Sequence, residues 1–183
     1  MSETVPNSEV EATEPALPDI HLELSKIRGA HSEAVLAVEE APERDMFWVE
    51  LKPSALVSVV KLLRDDRALD YNSLSDLTCV DYPWQENRFC VTYNLYSYSR
   101  MRRLFLRVRV AEGEKVPTLT GLFAAADWAE REVYDLFGVT FKDHPNMARI
   151  QLPDDWKGHP LQKDYPVVGK RPVLLYNDVK DVL

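Results

Sequence analysis

The chain has few glycines and few cysteines for its length, and both shortages exclude classes of site. Six glycines in 183 residues leave little room for a glycine-rich nucleotide cradle, and no phosphate-loop motif is present. Only Cys79 and Cys90 occur, whereas an iron–sulfur cluster is held by about four protein ligands. A Gly-x-Ser-x-Gly nucleophile elbow is also missing. We therefore expect neither a cofactor site nor a nucleophilic active site in this chain alone.

Long apolar runs and clusters of basic residues are lacking as well. No stretch of about 18 apolar residues is available to span a membrane, and the N-terminus does not have the basic-then-apolar order of a secretory signal. The two cysteines are therefore expected to be reduced thiols; a pair facing across a sheet would need a geometry that the sequence does not supply. Without a polybasic cluster, we expect no nucleic-acid partner and no direct lipid contact.

The negative charge is concentrated at one end of the chain. Of the net charge of −8, residues 1–19 carry −5 and the rest −3. The acidic residues of this segment, which contains no Lys or Arg, are Glu3, Glu9, Glu11, Glu14 and Asp19. Three prolines interrupt it, so we predict a disordered acidic tail over residues 1–19.

Apolar periodicity predicts elements in the order α-β-β-α-β-β-β-α. Thr118 or Thr120 is the expected N-cap of the last helix, and Gly138 its terminator. This order predicts a small α+β sandwich over residues 20–141, with helices packed on a mainly antiparallel sheet. The elements are a helix at 20–31, strands at 33–40 and 46–51 around a turn at Ala41-Pro42, a helix opened by Pro53, a strand at 74–81, a hairpin at 88–110 and a helix from Pro117.

The second arm of the hairpin places basic residues on one face. Arg103, Arg107 and Arg109 alternate with apolar residues and share their face with Phe105. The simple interpretation is that the apolar face packs on a helix and the arginines meet solvent. The alternative is a basic ridge that meets an acidic partner.

The densest charged cluster lies in the last predicted helix, at Glu130, Arg131, Glu132 and Asp135. Paired carboxylates suggest general acid–base chemistry. A charged helix face with an i,i+4 pair between Arg131 and Asp135 is the commoner outcome. A third interpretation is that these side chains hydrogen-bond the backbone of the following segment and fix its direction.

That segment, residues 144–166, is called the strip below. Prolines at 145, 153, 160 and 166 prevent a long helix or a central strand. Large apolar and aromatic side chains recur along it, which a disordered segment would lack. We therefore predict that residues 142–183 form an extended segment, ordered by lying on another surface, and that they dock on a partner.

His144 and His159 allow one enzymatic alternative. Together with the nearby aspartates they would serve a stand-alone metal-dependent hydrolase. No His or Cys lies at short ligand spacing, however, and each histidine precedes a proline. A role as a turn or anchor residue is therefore favoured.

The charged cluster and the strip together resemble a known family. They are similar to the C-type, or thirty-kilodalton-type, subunit of respiratory complex I, the proton-pumping NADH:quinone oxidoreductase. The match is nearly collinear and its combination of residues is not forced by any physical rule. Ala148 and Gln162 depart from it, since each stands where a basic residue is usual. The matching motifs are Asp127-Trp128-Ala129, the run Glu130 to Phe137, His144-Pro145, Arg149-Ile150, Pro153 to Trp156, Gly158 to Leu161 and Lys163 to Pro166.

The resemblance implies a cofactor-free structural subunit in a hetero-oligomer. It would sit in the peripheral arm, on the cytoplasmic side of the inner membrane or the matrix side in mitochondria, and touch the membrane only through the complex. Its partners would be the D-type, quinone-reducing subunit and neighbouring iron–sulfur subunits, which with the flavin subunit hold the cofactors. The whole complex passes electrons from NADH to quinone and translocates protons. An equivalent subunit of a membrane-bound hydrogenase, or of another donor:quinone complex, is the alternative.

The resemblance also implies which residues dock. We expect Ile150, Trp156, Leu161 and Tyr165 to anchor the strip on the partner, because buried aromatic and apolar groups carry much interface energy. Charge pairs would set the register. The full set of expected docking residues is Glu130, Arg131, Glu132, Asp135, His144, Arg149, Ile150, Trp156, His159, Leu161, Lys163, Asp164 and Tyr165.

Overall fold

A computed structural model describes residues 20–41 and 46–166. The predicted acidic tail at 1–19, Pro42 of the predicted turn and residues 167–183 of the predicted docking segment lie outside these residues. Three helices and seven strands are described. They are α1 (His21–Ala30), β1 (Val35–Ala41), β2 (Met46–Leu51), a 3-10 turn (Pro53–Ala55) leading into α2 (Leu56–Asp65), β3 (Ser73–Asp81), β4 (Phe89–Ser97), β5 (Arg102–Val110), β6 (Lys115–Pro117), α3 (Ala125–Phe137) and β7 (Thr140–Lys142).

Five strands form the main sheet in the order β1-β2-β5-β4-β3. Every neighbouring pair is antiparallel except β2 with β5, which run parallel. The predicted α+β fold with a mainly antiparallel sheet is confirmed. The parallel pair arises because the chain crosses from β2 through α2 and the β3–β4 hairpin before β5 returns beside it.

The core lies between the helices and one face of the sheet. The register aligns Leu77, Tyr93, Leu106 and Val49 on that face, and all four are buried. The predicted apolar stripe of α2 (Leu56, Val59, Val60 and Leu63) is fully buried against them. The opposite face of the sheet, called the outer face below, stays partly exposed in the described part of the chain.

The start of the last helix was predicted wrongly. α3 begins at Ala125 rather than Pro117, and its N-cap Ala124 makes no side-chain cap hydrogen bond. Residues 115–117 instead form β6, which pairs parallel with β7. Local sequence cannot reveal this pairing, because the two strands are more than twenty residues apart. The predicted end is confirmed, since Gly138 has a left-handed φ of 80°.

The two cysteines do not face each other. Cys79 lies opposite Val91, and Cys90 lies opposite Val80. Neighbouring residues of a strand point to opposite faces, so this register puts the two thiols on different sides of the sheet. Both are free and buried.

Candidate partner-docking site

The strip lies on α3 of its own chain and is held there by Asp135. The Asp135 carboxylate is fully buried. Its Oδ2 accepts hydrogen bonds from the backbone N–H groups of Ile150 (3.1 Å), Gln151 (2.8 Å) and Leu152 (2.9 Å). Its Oδ1 accepts one from Arg149 Nη1 at 2.7 Å. One carboxylate therefore fixes four consecutive residues of the strip.

Asp135 keeps its charge despite its burial. Desolvation alone would raise the pKa of this carboxyl, but the three backbone N–H groups and the Arg149 guanidinium together hold the pKa below its ordinary value. The folded state therefore binds the proton more weakly than the unfolded chain. The stabilisation that Asp135 supplies is present above its ordinary pKa and is lost as the pH falls through the folded pKa.

Arg131 also binds the backbone of the strip, just before the residues that Asp135 holds. Its Nε donates to the carbonyl of Ala148 at 3.0 Å, and its Nη2 donates to the carbonyl of Arg149 at 3.3 Å. The guanidinium lies 5.0 Å from the centroid of the Trp128 ring. The interpretation that the charged cluster directs the following backbone is thus confirmed for Arg131 and Asp135. Asp135 pairs with Arg149, not with Arg131.

The interpretation of the cluster as a solvated face is wrong for two of its members. Glu130 and Asp135 are both fully buried, whereas Glu132 is exposed. Glu130 accepts hydrogen bonds from the Thr118 hydroxyl at 2.6 Å and from the Leu119 N–H at 2.7 Å. It thereby ties the loop after β6 to α3. Desolvation raises the pKa of Glu130 to about 7 against these two hydrogen bonds, which lower it.

Glu130 predicts a pH dependence of stability. Its folded pKa of about 7 exceeds the ordinary 4.5, so its contribution is most favourable below pH 4.5 and declines as the pH rises through 7. We expect the Glu130→Gln variant to lack this decline, which amounts to at most roughly 3 kcal/mol. Urea unfolding of both proteins between pH 4.5 and 8 measures it. Glu132→Gln, at an exposed position, should show the same fall in the free energy of unfolding with rising pH as the parent. If Glu130→Gln showed that fall too, Glu130 would not be its cause.

His144 anchors the turn that leads into the strip. Its side chain is fully buried. The Nε2 atom lies 3.2 Å from the carbonyl of Asp127 and 3.3 Å from its Oδ1, while Nδ1 accepts the Asn146 N–H at 3.0 Å. These contacts fit a neutral ring protonated at Nε2. Both ring nitrogens are used within the chain, as an anchor residue requires.

His159 binds the other end of α3. Its Nδ1 lies 2.9 Å from the carbonyl of Asp135, and its ring meets Tyr134 edge-on with centroids 5.8 Å apart. The α3 residues that hold the two histidines are eight positions apart, about 12 Å along a helix. No group of three or more metal-ligating side chains occurs among residues 20–41 and 46–166. The histidines are thus not brought together as a metal-dependent hydrolase needs.

The end of the strip is tied to the sheet by Asp81 and Arg88, two residues that are not among the expected docking residues. Arg88 donates from two nitrogens to buried Asp81, at 2.8 and 2.6 Å, and also to Asp164 at 3.1 Å. Asp81 Oδ2 accepts the Lys163 N–H at 2.9 Å. The available signal was an acidic residue at the buried end of β3 facing a basic residue before β4. Arg149 and Asp164 therefore set register inside the chain; their contacts to a partner stay predictions.

The expected anchors differ in exposure. Ile150, Trp156 and Tyr165 are half-buried on their own chain, whereas Leu161 is 45% exposed. Leu161 lines a groove of about 200 Å³ at the edge of β3, together with Val80, Phe137 and other residues. The departure at Gln162 has a local role, since its amide donates to the carbonyl of Phe137 at the end of α3 at 2.8 Å.

Comparison with known proteins decides the family. Residues 49–171 match the family model of the respiratory-chain NADH dehydrogenase 30 kDa subunit. The chain belongs to this family. The C-type subunit of the NADH-quinone oxidoreductase of Geotalea uraniireducens is 42% identical over 145 residues, which are 79% of this chain and 86% of that protein. The protein of the same name from Citrifermentans bemidjiense is 47% identical over 122 residues, 66% of this chain and 74% of its own length.

The family extends to mitochondria and its fold to a different respiratory complex. A Candida albicans protein named NADH dehydrogenase [ubiquinone] iron-sulfur protein 3, mitochondrial, is 38% identical over 140 residues, 76% of this chain and 50% of that protein. A chain in the structure of an archaeal membrane-bound sulfane sulfur reductase matches with a TM-score of 0.64 at 19% identity, covering 87% of this chain and 89% of that one. At this identity the likeness shows the fold alone.

Family membership makes the chain a subunit of complex I, a multi-subunit respiratory complex, and therefore part of a hetero-oligomer. The complex is membrane-associated. Among residues 20–41 and 46–166, no helix is both long and apolar enough to cross a membrane.

Proposed function

We propose that this chain is a cofactor-free structural subunit that docks on the quinone-reducing subunit of NADH:quinone oxidoreductase. In this proposal it sits in the peripheral arm on the cytoplasmic side of the membrane, or the matrix side in mitochondria. It touches the quinone-reducing subunit and neighbouring iron–sulfur subunits. Electron transfer from NADH to quinone and proton translocation belong to the assembled complex. The chain contributes by holding the quinone-reducing subunit in place.

One observation carries the proposal, namely that large apolar side chains stay exposed beside the strip near both ends of α3. Trp128 is 63% exposed on α3, and Leu161 is 45% exposed on the strip. Val80, beside the groove that Leu161 lines, is 41% exposed. Large apolar side chains that stay open on an ordered backbone are typical of a surface that another protein covers. A strip already fixed on α3 would bind without a large ordering cost.

The chemistry of the chain supports a role without cofactors. Two cysteines, on opposite faces of the sheet, supply too few thiolates for a cluster, which needs about four ligands. Both histidines of the strip and the two buried carboxylates of α3 are used to hold backbone in place. Asp135 and the two histidines position the strip, and Glu130 holds the loop after β6, so each of these four side chains has a structural contact within the described residues.

We expect Leu161→Glu to weaken assembly without unfolding the chain. A carboxylate at this position would face the apolar groove and lose its hydration when a partner covers it, which costs several kcal/mol. The tagged variant, expressed in its native membranes and extracted in mild detergent, should retain at least about tenfold less of the quinone-reducing subunit. Quantitative mass spectrometry of the retained proteins provides the measurement.

Met101→Glu is the matched control. Met101 is 78% exposed and lies in the β4–β5 turn, which is part of neither α3 nor the strip. It should retain the quinone-reducing subunit as the parent does. Normal retention by Leu161→Glu, with the same circular dichroism spectrum as the parent, would refute docking through this surface. Retention of hydrogenase or other donor modules by the parent would assign the chain to a related donor:quinone complex.

A further inference from the structure

The turn between β3 and β4 presents an exposed tryptophan. Residues 82–88 join the two strands, and Trp84 in this turn is 77% exposed. A single exposed apolar side chain is common on protein surfaces and requires no partner. Trp84 differs from such a residue because it ends a continuous line of apolar side chains that begins at the strip.

This line crosses the end of β3. Leu161 and Val80 line the same groove. The Tyr82 N–H donates to the Arg88 carbonyl at 2.7 Å, so the alternation of β3 continues through residue 82. Val80 and Tyr82 therefore both lie on the outer face of the sheet. The rings of Tyr82 and Trp84 meet edge-on with centroids 5.9 Å apart. Leu161, Val80, Tyr82 and Trp84 form what is called the apolar line below.

The turn that carries Trp84 is ordered by its own contacts. The Gln85 N–H donates to the Tyr82 carbonyl at 2.9 Å and closes the turn. The Arg109 guanidinium lies 5.2 Å from the centroid of the Tyr82 ring, and its Nη1 donates to Gln85 Oε1 at 2.7 Å. Arg109 of β5 thus fixes both residues. A side chain presented on an ordered backbone binds with little additional ordering cost.

The turn and the strip also keep a fixed position relative to each other. Arg88 donates to Asp164 of the strip at 3.1 Å and to the buried Asp81 carboxylate of β3. Four residues separate Val80 from Trp84, which is at most about 14 Å along the chain. A protein–protein interface of standard size buries about 800 Å² on each partner, a patch roughly 30 Å across. A partner that covers the groove therefore reaches Trp84.

We propose that Trp84 anchors the quinone-reducing subunit by inserting into an apolar pocket of that partner. This inference rests on the proposed function and extends the docking surface from Leu161 to the β3–β4 turn. A tryptophan ring buries about 200 Å² of surface, and tryptophan is enriched among the residues that carry most of the binding energy. The partner is the same subunit because the apolar line is continuous with the groove that Leu161 lines.

Trp84→Ala tests the anchor in the assembled complex. The tagged variant, extracted in mild detergent from its native membranes, should retain at least about tenfold less of the quinone-reducing subunit than the parent. Trp84→Phe keeps an aromatic ring and should lose less. Both variants should unfold at the same urea concentration as the parent, because the side chain is 77% exposed.

Tyr98→Ala is the matched control. Tyr98 is 66% exposed, and its ring meets Tyr96 edge-on with centroids 5.0 Å apart, much as Trp84 meets Tyr82. It lies in the turn after β4, at the other end of that strand. This variant should retain the quinone-reducing subunit as the parent does. Equal losses in Trp84→Ala and Tyr98→Ala would overturn the assignment of the β3–β4 turn.

A photo-reactive benzophenone side chain in place of Trp84 identifies the occupant. Cross-linking to the quinone-reducing subunit is the expected result. Cross-linking instead to residues 1–19 or 167–183 of the same chain, to a second copy or to an iron–sulfur subunit would overturn the proposal. Normal retention by Trp84→Ala, together with weakened retention by Leu161→Glu, would also overturn it and leave the proposed function standing. Normal retention by both variants would refute the proposed function as well.

Discussion

Replacing Asp135 with asparagine is expected to release the strip from α3. The side-chain amide keeps only one acceptor oxygen, where the carboxylate now serves three backbone N–H groups and Arg149. Its NH2 group would also point at another donor. Removing one member of a buried ion pair typically costs about 3–5 kcal/mol. We expect a loss of this order from the free energy of unfolding, concentrated in the strip.

Hydrogen exchange locates that loss. The amides of residues 150–152 donate to Asp135 in the parent and should lose most of their protection in Asp135→Asn. Asp154→Asn removes a charge at an exposed position of the same strip and should leave these amides protected. Protection that persists in Asp135→Asn would show that other contacts hold the turn. The acid-side decline in stability that comes from the lowered pKa of Asp135 should also disappear in this variant.

Replacing Gly138 with alanine is expected to displace His159. A Cβ at this position would lie 2.6 Å from His159 Cδ2 and 2.9 Å from Nε2, closer than van der Waals contact permits. The imidazole cannot simply move aside, because its Nδ1 is held at the carbonyl of Asp135 and its ring packs on Tyr134. The left-handed φ of 80° adds about 1–2 kcal/mol of strain for any L residue. Overpacking should add about 1–3 kcal/mol.

Gly113→Ala separates the two contributions. Gly113 has nearly the same φ, 82°, but a Cβ there would have nothing within 4 Å. This variant should show the backbone strain alone. The difference between the two variants in urea unfolding therefore reports the clash with His159. Equal destabilisation would mean that His159 yields without cost and that the contact does not position the strip.

Comparing Asp135→Asn and Gly138→Ala with Leu161→Glu separates the stability of the strip from its recognition by a partner. Asp135→Asn and Gly138→Ala disturb how the strip lies on α3, and any loss of assembly should follow a loss of hydrogen-exchange protection. Leu161→Glu changes an exposed side chain and should weaken assembly while protection stays intact. A docking surface that is preorganised by its own chain predicts this difference.

Local pattern was enough to predict much of the fold. The apolar stripe of α2 was evident because its members recur at helical spacing, and all are buried as that spacing requires. The β4–β5 hairpin followed from alternation at period two. Gly138 was recognised as a helix terminator because glycine adopts a left-handed φ without a steric penalty. These features depend on residues within a few positions of each other.

The sequence also indicated that residues 144–166 are ordered on a surface, since its prolines exclude regular structure while its aromatic side chains exclude disorder. We expected a partner to supply that surface. The tertiary structure decided that α3 of the same chain does so, with Asp135 and Arg131 as the holding groups. It also decided the parallel pairing of β2 with β5, the short β6–β7 sheet that delays the start of α3, and the opposite faces of Cys79 and Cys90. Each of these depends on the register between segments far apart in the chain, and the periodicity of one segment carries no information about which partner it will meet.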